Sequence, residues 1–266
     1  MSISSTLLQG ADIRFVEAAS ALRSHVGCFW IITAERGAFM RVVPDASTAI
    51  SMLLQDAHPP EWSLRGPLRG PDEHRFAAPA TLVGVRLRPG VAFLVTAIEA
   101  DVLVNQRILL SDIPACREFA RASGRPQTPE QHIAALERFL IDRLRNASVH
   151  GVVHAAVQEI EREHGQLSVV DVAARCGVSP RHLNRLMRLW VGYGAKRFAN
   201  IIRFQATLHR MEQLPREPAA ALAYENGYFD QSHLTGAVAR LAGSTPGHLA
   251  SRSMTDFSKT RCDDLP

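Results

Sequence analysis

One short stretch of the chain combines three arginines with an asparagine at the spacing of a single helix face. Arg181, Arg185 and Arg188 follow one another at intervals of four and three residues, and His182 and Asn184 lie between them. An arginine can donate two hydrogen bonds to O6 and N7 of guanine, and an asparagine amide can pair with N6 and N7 of adenine. The chemistry that these side chains offer is therefore the recognition of base edges in a major groove.

Position along the helix separates the expected roles of these residues. We expect Arg181, Asn184 and Arg185 to contact bases, because the N-terminal half of a recognition helix faces the base edges. The candidates for contact with the DNA backbone in this stretch are Ser179, His182 and Arg188.

The surrounding sequence predicts the elements that position these side chains. Ser179 can cap a helix and Pro180 fits its first position. The apolar residues of this helix are Leu183, Leu186, Leu189 and Trp190. Upstream, a shorter helix begins at the capping box of residues 168–171 and ends at Gly177. Together they predict a helix-turn-helix unit with a recognition helix at about residues 179–190.

The same unit occurs a second time, about fifty residues later. The equivalent pairs, spaced by 50 or 51 residues, are Ala173 and Ala223, Gly177 and Gly227, Leu183 and Leu234, Gly192 and Gly243, and Phe198 and Leu249. Asp230 can cap the second reading helix, at about residues 230–241. Its candidate base contacts are Gln231, Ser232 and Thr235, and its candidate backbone contacts are His233 and Arg240. Because Gly236 lies mid-helix and Arg240 is its single positive charge, we expect this helix to contact mainly the DNA backbone.

A long amphipathic segment at residues 195–214 joins the two copies. Its apolar residues are Phe198, Ile201, Ile202, Phe204, Leu208 and Met211. A helix of nearly twenty residues spans roughly 30 Å, close to the roughly 34 Å between major-groove faces one turn apart. We expect this helix to hold both reading helices on one side of a duplex.

The excess positive charge of the chain lies in the repeated region. Residues 1–150 hold 16 Lys/Arg and 15 Asp/Glu, residues 151–254 hold 12 and 8, and residues 255–266 hold 2 and 3. The net charges are therefore +1, +4 and −1, which sum to the +4 of the whole chain. A phosphate-facing surface requires such an excess, and this modest value supports the repeat rather than standing alone.

The N-terminal half is predicted to be rich in β-strands. Short apolar runs begin at Cys28, Phe39, Ile50 and Leu82, and Pro/Gly-rich turns separate them. This pattern is typical of a small barrel or sandwich. Residues 92–103 are predicted to be helical. The predicted divisions are a β-rich domain at 1–120, a linker and connecting helix at 121–150, the helical repeats at 151–254 and a tail at 255–266.

The connecting helix has a clear start and a narrow apolar stripe. Thr128 and Gln131 form a capping box, with Pro129 in the first turn. The stripe consists of Ile133, Leu136, Leu140 and Leu144. Two interpretations stay open: the stripe packs on its own domain, or it forms a short antiparallel dimer seam.

The repeated segments resemble the DNA-binding domain of the AraC/XylS family of bacterial transcription regulators. The resemblance covers about residues 152–252 and rests on Val172-AARCGVSPRHLNRLM, Gly227-YFDQSHL and Ala242-GSTPGHL. It implies two helix-turn-helix subdomains on one helix, promoter or operator DNA as partner, and RNA polymerase as a further candidate partner. By position, Arg181, Asn184, Arg185, Gln231, Ser232 and Thr235 match the family's base contacts. The family often has Arg and Phe where Gly236 and Val238 stand here.

Residues 28–112 resemble the cupin-like sensor domain found ahead of some such DNA-binding domains. The motifs are Val43-PDAS, Gly84-VRLRPGVAFLV and Leu110-SDI. The expected fold class is thus α+β, with a β-rich cupin-like domain and an all-α domain of two helix-turn-helix subdomains. The resemblance implies a sensing or dimerising role, with a homodimer as one candidate assembly. The residues that could line an effector pocket, or else belong to the core, are Trp30, Phe39, Met52 and Trp62.

Two alternative functions would use residues of the N-terminal half. A cupin-like metal enzyme would use His25, His58 and His74, but their scattered positions predict neither a metal site nor another cofactor, and no enzyme activity is expected. A thiol sensor would use Cys28, whose apolar neighbours Phe29 and Trp30 raise the pKa of a thiol. We expect reduced cysteines and a cytoplasmic protein without a membrane partner, because the sequence lacks a signal peptide and a long apolar stretch.

Overall fold

A computed structural model of the chain describes residues 6–55, 60–124 and 127–251. The tail predicted at residues 255–266 lies outside these ranges, and so does His58, one of the imidazoles considered as a metal ligand. A β-rich N-terminal half is followed by a helical C-terminal half, which confirms the predicted α+β fold class.

The N-terminal half is built on two antiparallel sheets. Its strands are β1 (Thr6–Gln9), β2 (Asp12–Val16), β3 (Val26–Ala34), β4 (Ala38–Val42), β5 (Thr48–Leu54), β6 (Trp62–Arg65), β7 (Asp72–Phe76), β8 (Ala80–Leu87) and β9 (Arg107–Leu109). One sheet has the order β1–β4–β7 and the other the order β2–β3–β8–β5–β6–β9. Leu8 and Met40 of the small sheet meet Ile32 and Leu82 of the large one in an apolar cluster. Of the two predicted architectures, the sandwich is the one observed.

Three helices cover the other face of the six-stranded sheet. They are α1 (Val91–Thr96), α2 (Arg117–Ser123) and α3 (Pro129–Leu144). The apolar stripe of α3 is buried in the core of this domain: Ile133, Leu136, Leu140 and Leu144. The stripe therefore packs on its own domain and is not available as a dimer seam. The N-terminal domain includes α3, rather than ending at residue 120 before a separate linker.

Helix α1 is shorter than the sequence indicates. The predicted helix at residues 92–103 ends at Thr96, because Ala97 adopts a left-handed backbone with a φ of 58°. The chain then turns through residues 97–105, which we call the acidic loop. The exposed acids of this loop are Glu99 and Asp101. They sit on a turn that reaches the C-terminal half, not along a helix.

The C-terminal half contains two similar units on a shared helix. Its helices are α4 (Gly151–Arg162), α5 (Val169–Arg175), α6 (Pro180–Val191), α7 (Ala195–Gln213), α8 (Ala219–Glu225), α9 (Gln231–Ala242) and α10 (Pro246–Ser251). Helices α5 and α6 form the first helix-turn-helix, and α8 and α9 form the second. Each unit has its own apolar core, and α7 contributes to both.

The predicted helix starts are confirmed. Side-chain oxygens of Ser168, Ser179 and Asp230 each accept a hydrogen bond from the backbone N–H three residues later, and Thr128 forms its capping box. The turn glycines Gly177 and Gly227 both have a φ of +67°, a conformation that a side chain would strain.

The shared helix α7 is attached to both units by a single side chain. Arg203 Nη2 donates to the backbone oxygen of Gly165 at 2.7 Å, and Nη1 donates to that of Gly227 at 3.1 Å. Gly165 follows α4 in the first unit, and Gly227 is the turn glycine of the second. Helix α7 has 19 residues, so the predicted long connector is confirmed.

The two halves of the chain also make direct contact. Residues 43–47 lie on this boundary: Val43 packs into the core of the second unit and Ala46 into the core of the first. Gln205 Nε2, on α7, donates to the backbone oxygen of Pro44 at 2.6 Å. One segment of the sandwich therefore touches both helical units.

Among the helices of the described ranges, none is both long enough and apolar enough to cross a bilayer.

Asn184 joins the end of one unit to the start of α7. Its Nδ2 donates to the backbone oxygen of Pro180 at 2.9 Å, and its Oδ1 accepts from the N–H of Ala195 at 3.0 Å. Ala195 is the first residue of α7, whose early N–H groups have no partner within the helix. Asn184 thus acts as a helix cap supplied from α6.

We expect Asn184→Ala to lower the free energy of unfolding by about 1–2 kcal/mol, the usual cost of losing a helix cap. Urea denaturation followed by circular dichroism measures it. Asn200→Ala, at an exposed position on α7, is the control and should change stability by less than about 0.5 kcal/mol. Equal effects of the two variants would remove the capping role.

Candidate nucleic-acid interface

Helix α6 presents a row of three arginines to solvent. Arg181, Arg185 and Arg188 are all exposed. They lie opposite the residues that α6 buries: Leu183, Leu186, Met187 and Val191. Because side chains at intervals of four and three residues lie on one helix face, the guanidinium groups form a continuous donor surface. Ser179 and His182 stand at the start of this helix, where the Ser179 oxygen accepts from the His182 N–H at 3.2 Å.

Asn184 lies on the flank of this face and is already occupied. Its amide bonds to Pro180 and Ala195 use one donor and the acceptor oxygen. A bidentate contact with adenine needs both a free donor and the acceptor of the same amide. The geometry therefore favours a structural role for Asn184 over the predicted base contact.

The end of α6 is packed against the N-terminal domain. Leu189 and Trp190 are only half-buried, although the sequence predicts them in the core of the helical unit. The Trp190 ring meets that of Phe93, on α1, with centroids 4.6 Å apart. The backbone oxygen of Leu189 accepts from the N–H of Ala100, in the acidic loop, at 2.7 Å.

This docking brings two acids close to the arginine row. An open groove is lined on one side by Glu99 and Asp101, and on the other by Arg181, Arg185 and Arg188. Within the described residues no ion pair joins the two sets, and all three arginines are exposed. The sequence did not predict this groove, because residues 92–103 were expected to form one helix.

Helix α9 offers fewer donors than α6. Gln231 and Ser232 are exposed in its first turn. Thr235 is half-buried, and its hydroxyl donates to the backbone oxygen of Gln231 at 2.8 Å. A Cβ built on Gly236 would meet nothing within 4 Å, so the middle of the outer face is bare.

A polar groove runs between α7 and α9. His233 and Arg240 of α9 line it together with Arg197, Asn200 and Arg203 of α7. The α7 residues were missed from the sequence, because the amphipathic pattern identifies the buried side of α7 but not which neighbour faces the polar side. The three arginines at this place add positive charge beside α9.

The N-terminal sandwich contains a cavity between its two sheets. Its apolar walls are Ile13, Phe15, Trp30, Ile32, Met40 and Val42, and its polar walls include Asp45, Ser47, Arg65 and Arg86. Arg86 Nη1 lies 3.4 Å from Asp45 Oδ2, and Arg65 Nη1 lies 3.1 Å from Asp72 Oδ2. Burial, followed by the charge of Arg65, lowers the pKa of His74, which is adjacent to Asp72. The cavity thus pairs apolar surface with two arginines.

Only one of the four predicted pocket residues lines this cavity. Trp30 does, and it lies against the backbone of Gly84. Met52 and Trp62 are buried on the opposite face of the sheet, in the core beneath the helices. Phe39 packs instead against the second helical unit. For these three residues the predicted pocket is wrong, and the alternative of a core position holds for Met52 and Trp62.

The structure does not support the metal site or the thiol site considered as alternatives. Cys28 lines the cavity but is in a disulfide, so the expectation of a reduced thiol is wrong there, whereas Cys116 and Cys176 are free. Across the described ranges, no three His, Cys, Asp or Glu side chains are grouped so that they could hold a metal ion. His25 and His74 are separate, with partners of their own.

Two protein-family models match the chain. A helix-turn-helix domain matches residues 172–252, and a domain of unknown function, DUF6597, matches residues 14–109. Together they correspond to the two halves of the fold.

Similar proteins include a curated regulator and two solved structures. The HTH-type transcriptional regulator GlxA of Rhizobium meliloti is 32% identical over 133 residues, which are 50% of this chain and only 38% of that protein. The C-terminal domain of AraT, a response regulator from Geobacillus stearothermophilus, is 22% identical with a TM-score of 0.37, over 40% of this chain and 88% of that one. ToxT from Vibrio cholerae is 10% identical with a TM-score of 0.41, over 92% and 97%.

These structural likenesses are too distant to carry an argument by themselves. The resemblance to AraC/XylS regulators instead rests on the duplicated unit along α7, the signature segments at residues 227–234 and 242–249, and the helix-turn-helix match. Residues 172–252 thus match a helix-turn-helix domain, and half of the chain is similar to an HTH-type transcriptional regulator.

Proposed function

We propose that the chain is a sequence-specific transcription regulator that binds double-stranded DNA through α6 and α9. The observation that carries this proposal is the exposed row of Arg181, Arg185 and Arg188 on a capped helix of a duplicated helix-turn-helix unit. A recognition helix of this kind enters the major groove, where guanidinium groups pair with guanine or phosphate.

The first unit is the main reader in this proposal. Arg181 and Arg185 face the base edges from the N-terminal half of α6. Arg188, one turn further on, contacts phosphate together with Ser179 and His182. Asn184 is left out of the reading set, because its amide caps α7.

The second unit mainly holds the DNA backbone. His233 and Arg240, with the α7 arginines of the neighbouring groove, are the groups that support this role. Gln231 and Ser232 remain proposed base contacts, and the Thr235 hydroxyl can still accept a hydrogen bond while it donates to Gln231. The length of α7, 19 residues or roughly 30 Å, suits two adjacent major-groove faces.

The proposal separates Arg185 from Arg188 experimentally. After selection of bound sequences from random duplexes with the full chain, Arg185→Ala should lose about 1–3 kcal/mol on the selected site and relax base preference at one position. Arg188→Ala should weaken all sequences alike and reduce the slope of log affinity against log salt by about one. Fluorescence anisotropy titrations at several salt concentrations measure both quantities.

A result of full affinity and unchanged preference for Arg185→Ala would show that α6 is not the reading helix. Arg14→Ala is the matched control, because Arg14 is an exposed arginine of the N-terminal domain, paired with Glu130. It should leave both affinity and salt slope unchanged.

The acidic loop should oppose this binding. Glu99 and Asp101 line the same groove as the three arginines and would lie near the phosphates that those arginines contact. Like charges within about 10 Å repel each other at 0.1 M salt, because that distance is the Debye length.

The double variant Glu99→Gln and Asp101→Asn should therefore bind DNA about three- to tenfold more tightly at low salt, with a smaller gain at high salt. The control is Asp112→Asn with Glu118→Gln, which removes the same charge from exposed positions outside the groove. The measurement is the same anisotropy titration. An equal gain for the control pair would mean that net charge, and not the groove, sets the effect.

We also propose that the sandwich cavity binds a small effector. One support is that both apolar and polar side chains line the cavity. The other is that residues 43–47 contact both the cavity and the helical half: Asp45 and Ser47 line the cavity, while Val43 and Ala46 pack against the helical units. A ligand that moves Asp45 or Arg86 would act directly on the contacts of α7.

A thermal-shift screen of small metabolites tests the effector proposal. We expect at least one compound to raise the Tm of wild type and of Arg14→Gln but not of Arg86→Gln, because Arg86 lines the cavity and Arg14 does not. A shift that survives in Arg86→Gln would place the ligand elsewhere. No shift with any compound would favour a purely dimerising domain.

A further inference from the structure

The second helix-turn-helix unit carries a large apolar side chain in open solvent. Phe229 has 93% of its surface exposed, more than any other large hydrophobic residue in the described part of the chain. Its neighbours are ordinary: Tyr228 is buried, and Asp230 caps α9. A phenylalanine at this position forgoes the stabilisation that burial would give.

The hydrogen bonds of the two turns show that they are equivalent up to Phe229. In the first unit the N–H of Val178 donates to the backbone oxygen of Ala173 at 3.0 Å. In the second unit the N–H of Tyr228 donates to that of Ala223 at 2.9 Å. Val178 and Tyr228 therefore occupy the same place in the motif.

Phe229 is the residue by which the second turn is longer. In the first unit the capping residue, Ser179, comes directly after that place, whereas in the second the cap is Asp230 and Phe229 stands between. This insertion accounts for the change in repeat spacing from 50 to 51 residues. The added residue is thus both unburied and located at the entry to the reading helix.

The backbone of Phe229 is held while its ring is free. Its N–H donates to Nδ1 of His233, one turn into α9, at 3.3 Å. The backbone N–H of His233 donates to Oδ1 of the capping residue Asp230 at 2.7 Å. The backbone from which the ring projects is therefore attached to α9, and the ring lies at the start of that helix.

Helix α9 lacks other groups for direct reading in the middle of its outer face. Beyond Gln231, Ser232 and the half-buried Thr235, that face continues through Gly236 and Ala239, neither of which has a polar side chain. In the major groove, the feature of a base pair that an apolar side chain recognises is the C5-methyl group of thymine. A phenyl ring at the start of α9 has the chemistry to recognise it.

We propose that Phe229 contacts the C5-methyl group of a thymine in the groove that α9 enters, and so gives the second unit a base preference. This inference rests on the DNA binding proposed above. It assigns a base contact to a residue that precedes α9 rather than to one within that helix.

Replacement of thymine by deoxyuridine tests the inference, because it removes only the methyl group. Each thymine of a duplex selected with the full chain is replaced in turn, and affinity is measured by fluorescence anisotropy. At one position in the half-site of the second unit, uracil should weaken wild-type binding about fourfold, the equivalent of one methyl group withdrawn from water. Phe229→Ala should bind the two duplexes equally, and Phe229→Leu should keep part of the difference.

Tyr224→Ala provides the matched control, since Tyr224 is 82% exposed but lies on α8. It should discriminate thymine from uracil as wild type does. If Phe229→Ala keeps the wild-type ratio at every position, the inference is overturned, even where overall affinity falls, because the ring would then serve a backbone or protein contact. If the wild-type protein selects no preferred DNA sequence, or if Arg185→Ala binds the selected site with full affinity, the proposed function is overturned and this inference with it.

Discussion

The guanidinium of Arg203 fixes the relation between the two helical units. From one position on α7 it donates to Gly165, which follows α4 in the first unit, and to Gly227, the turn glycine of the second. A planar group with several donors can hold two carbonyl oxygens at once, which a lysine cannot do with the same geometry. Helices α6 and α9 both pack on α7, the helix that carries this side chain. Helix α7, with Arg203 as a link to both units, therefore helps to set the spacing between α6 and α9.

The sandwich also contacts α7, so the same helix is in contact with the N-terminal domain and with both helical units. Residues 43–47 alternate between the cavity and the helical units, so a displacement on one side cannot leave the other unchanged. The bond from Gln205 to Pro44 continues this connection onto α7. Tight packing transmits such displacements because interiors have few voids to absorb them. Coupling between sensing and DNA binding would then need no hinge between domains.

Local signals in the sequence predicted the helical half well, and long-range contacts explain where prediction failed. Caps and turn glycines act within four residues, so their spacing is visible in the sequence. The role of Asn184 depends on Ala195, eleven residues away in the next helix, and no local pattern indicates it. In the six-stranded sheet both faces are buried, so the apolar pattern of β3 and β5 does not show that Trp30 faces the cavity and Met52 the opposite core.

Two close approaches of backbone restrict how these halves can be combined with others. A Cβ on Gly192 would lie 2.8 Å from the Ala100 oxygen, and one on Gly243 would lie 3.1 Å from the Pro71 ring. Each glycine ends a reading helix, so the sandwich is seated against the tail of α6 and of α9 alike. A chimaera that joins this double helix-turn-helix to a foreign sensor domain would have to reproduce the close contacts at Gly192 and at Gly243 together. Shuffling of modules within such proteins is therefore governed by the fit at these two points as much as by the linker that joins them.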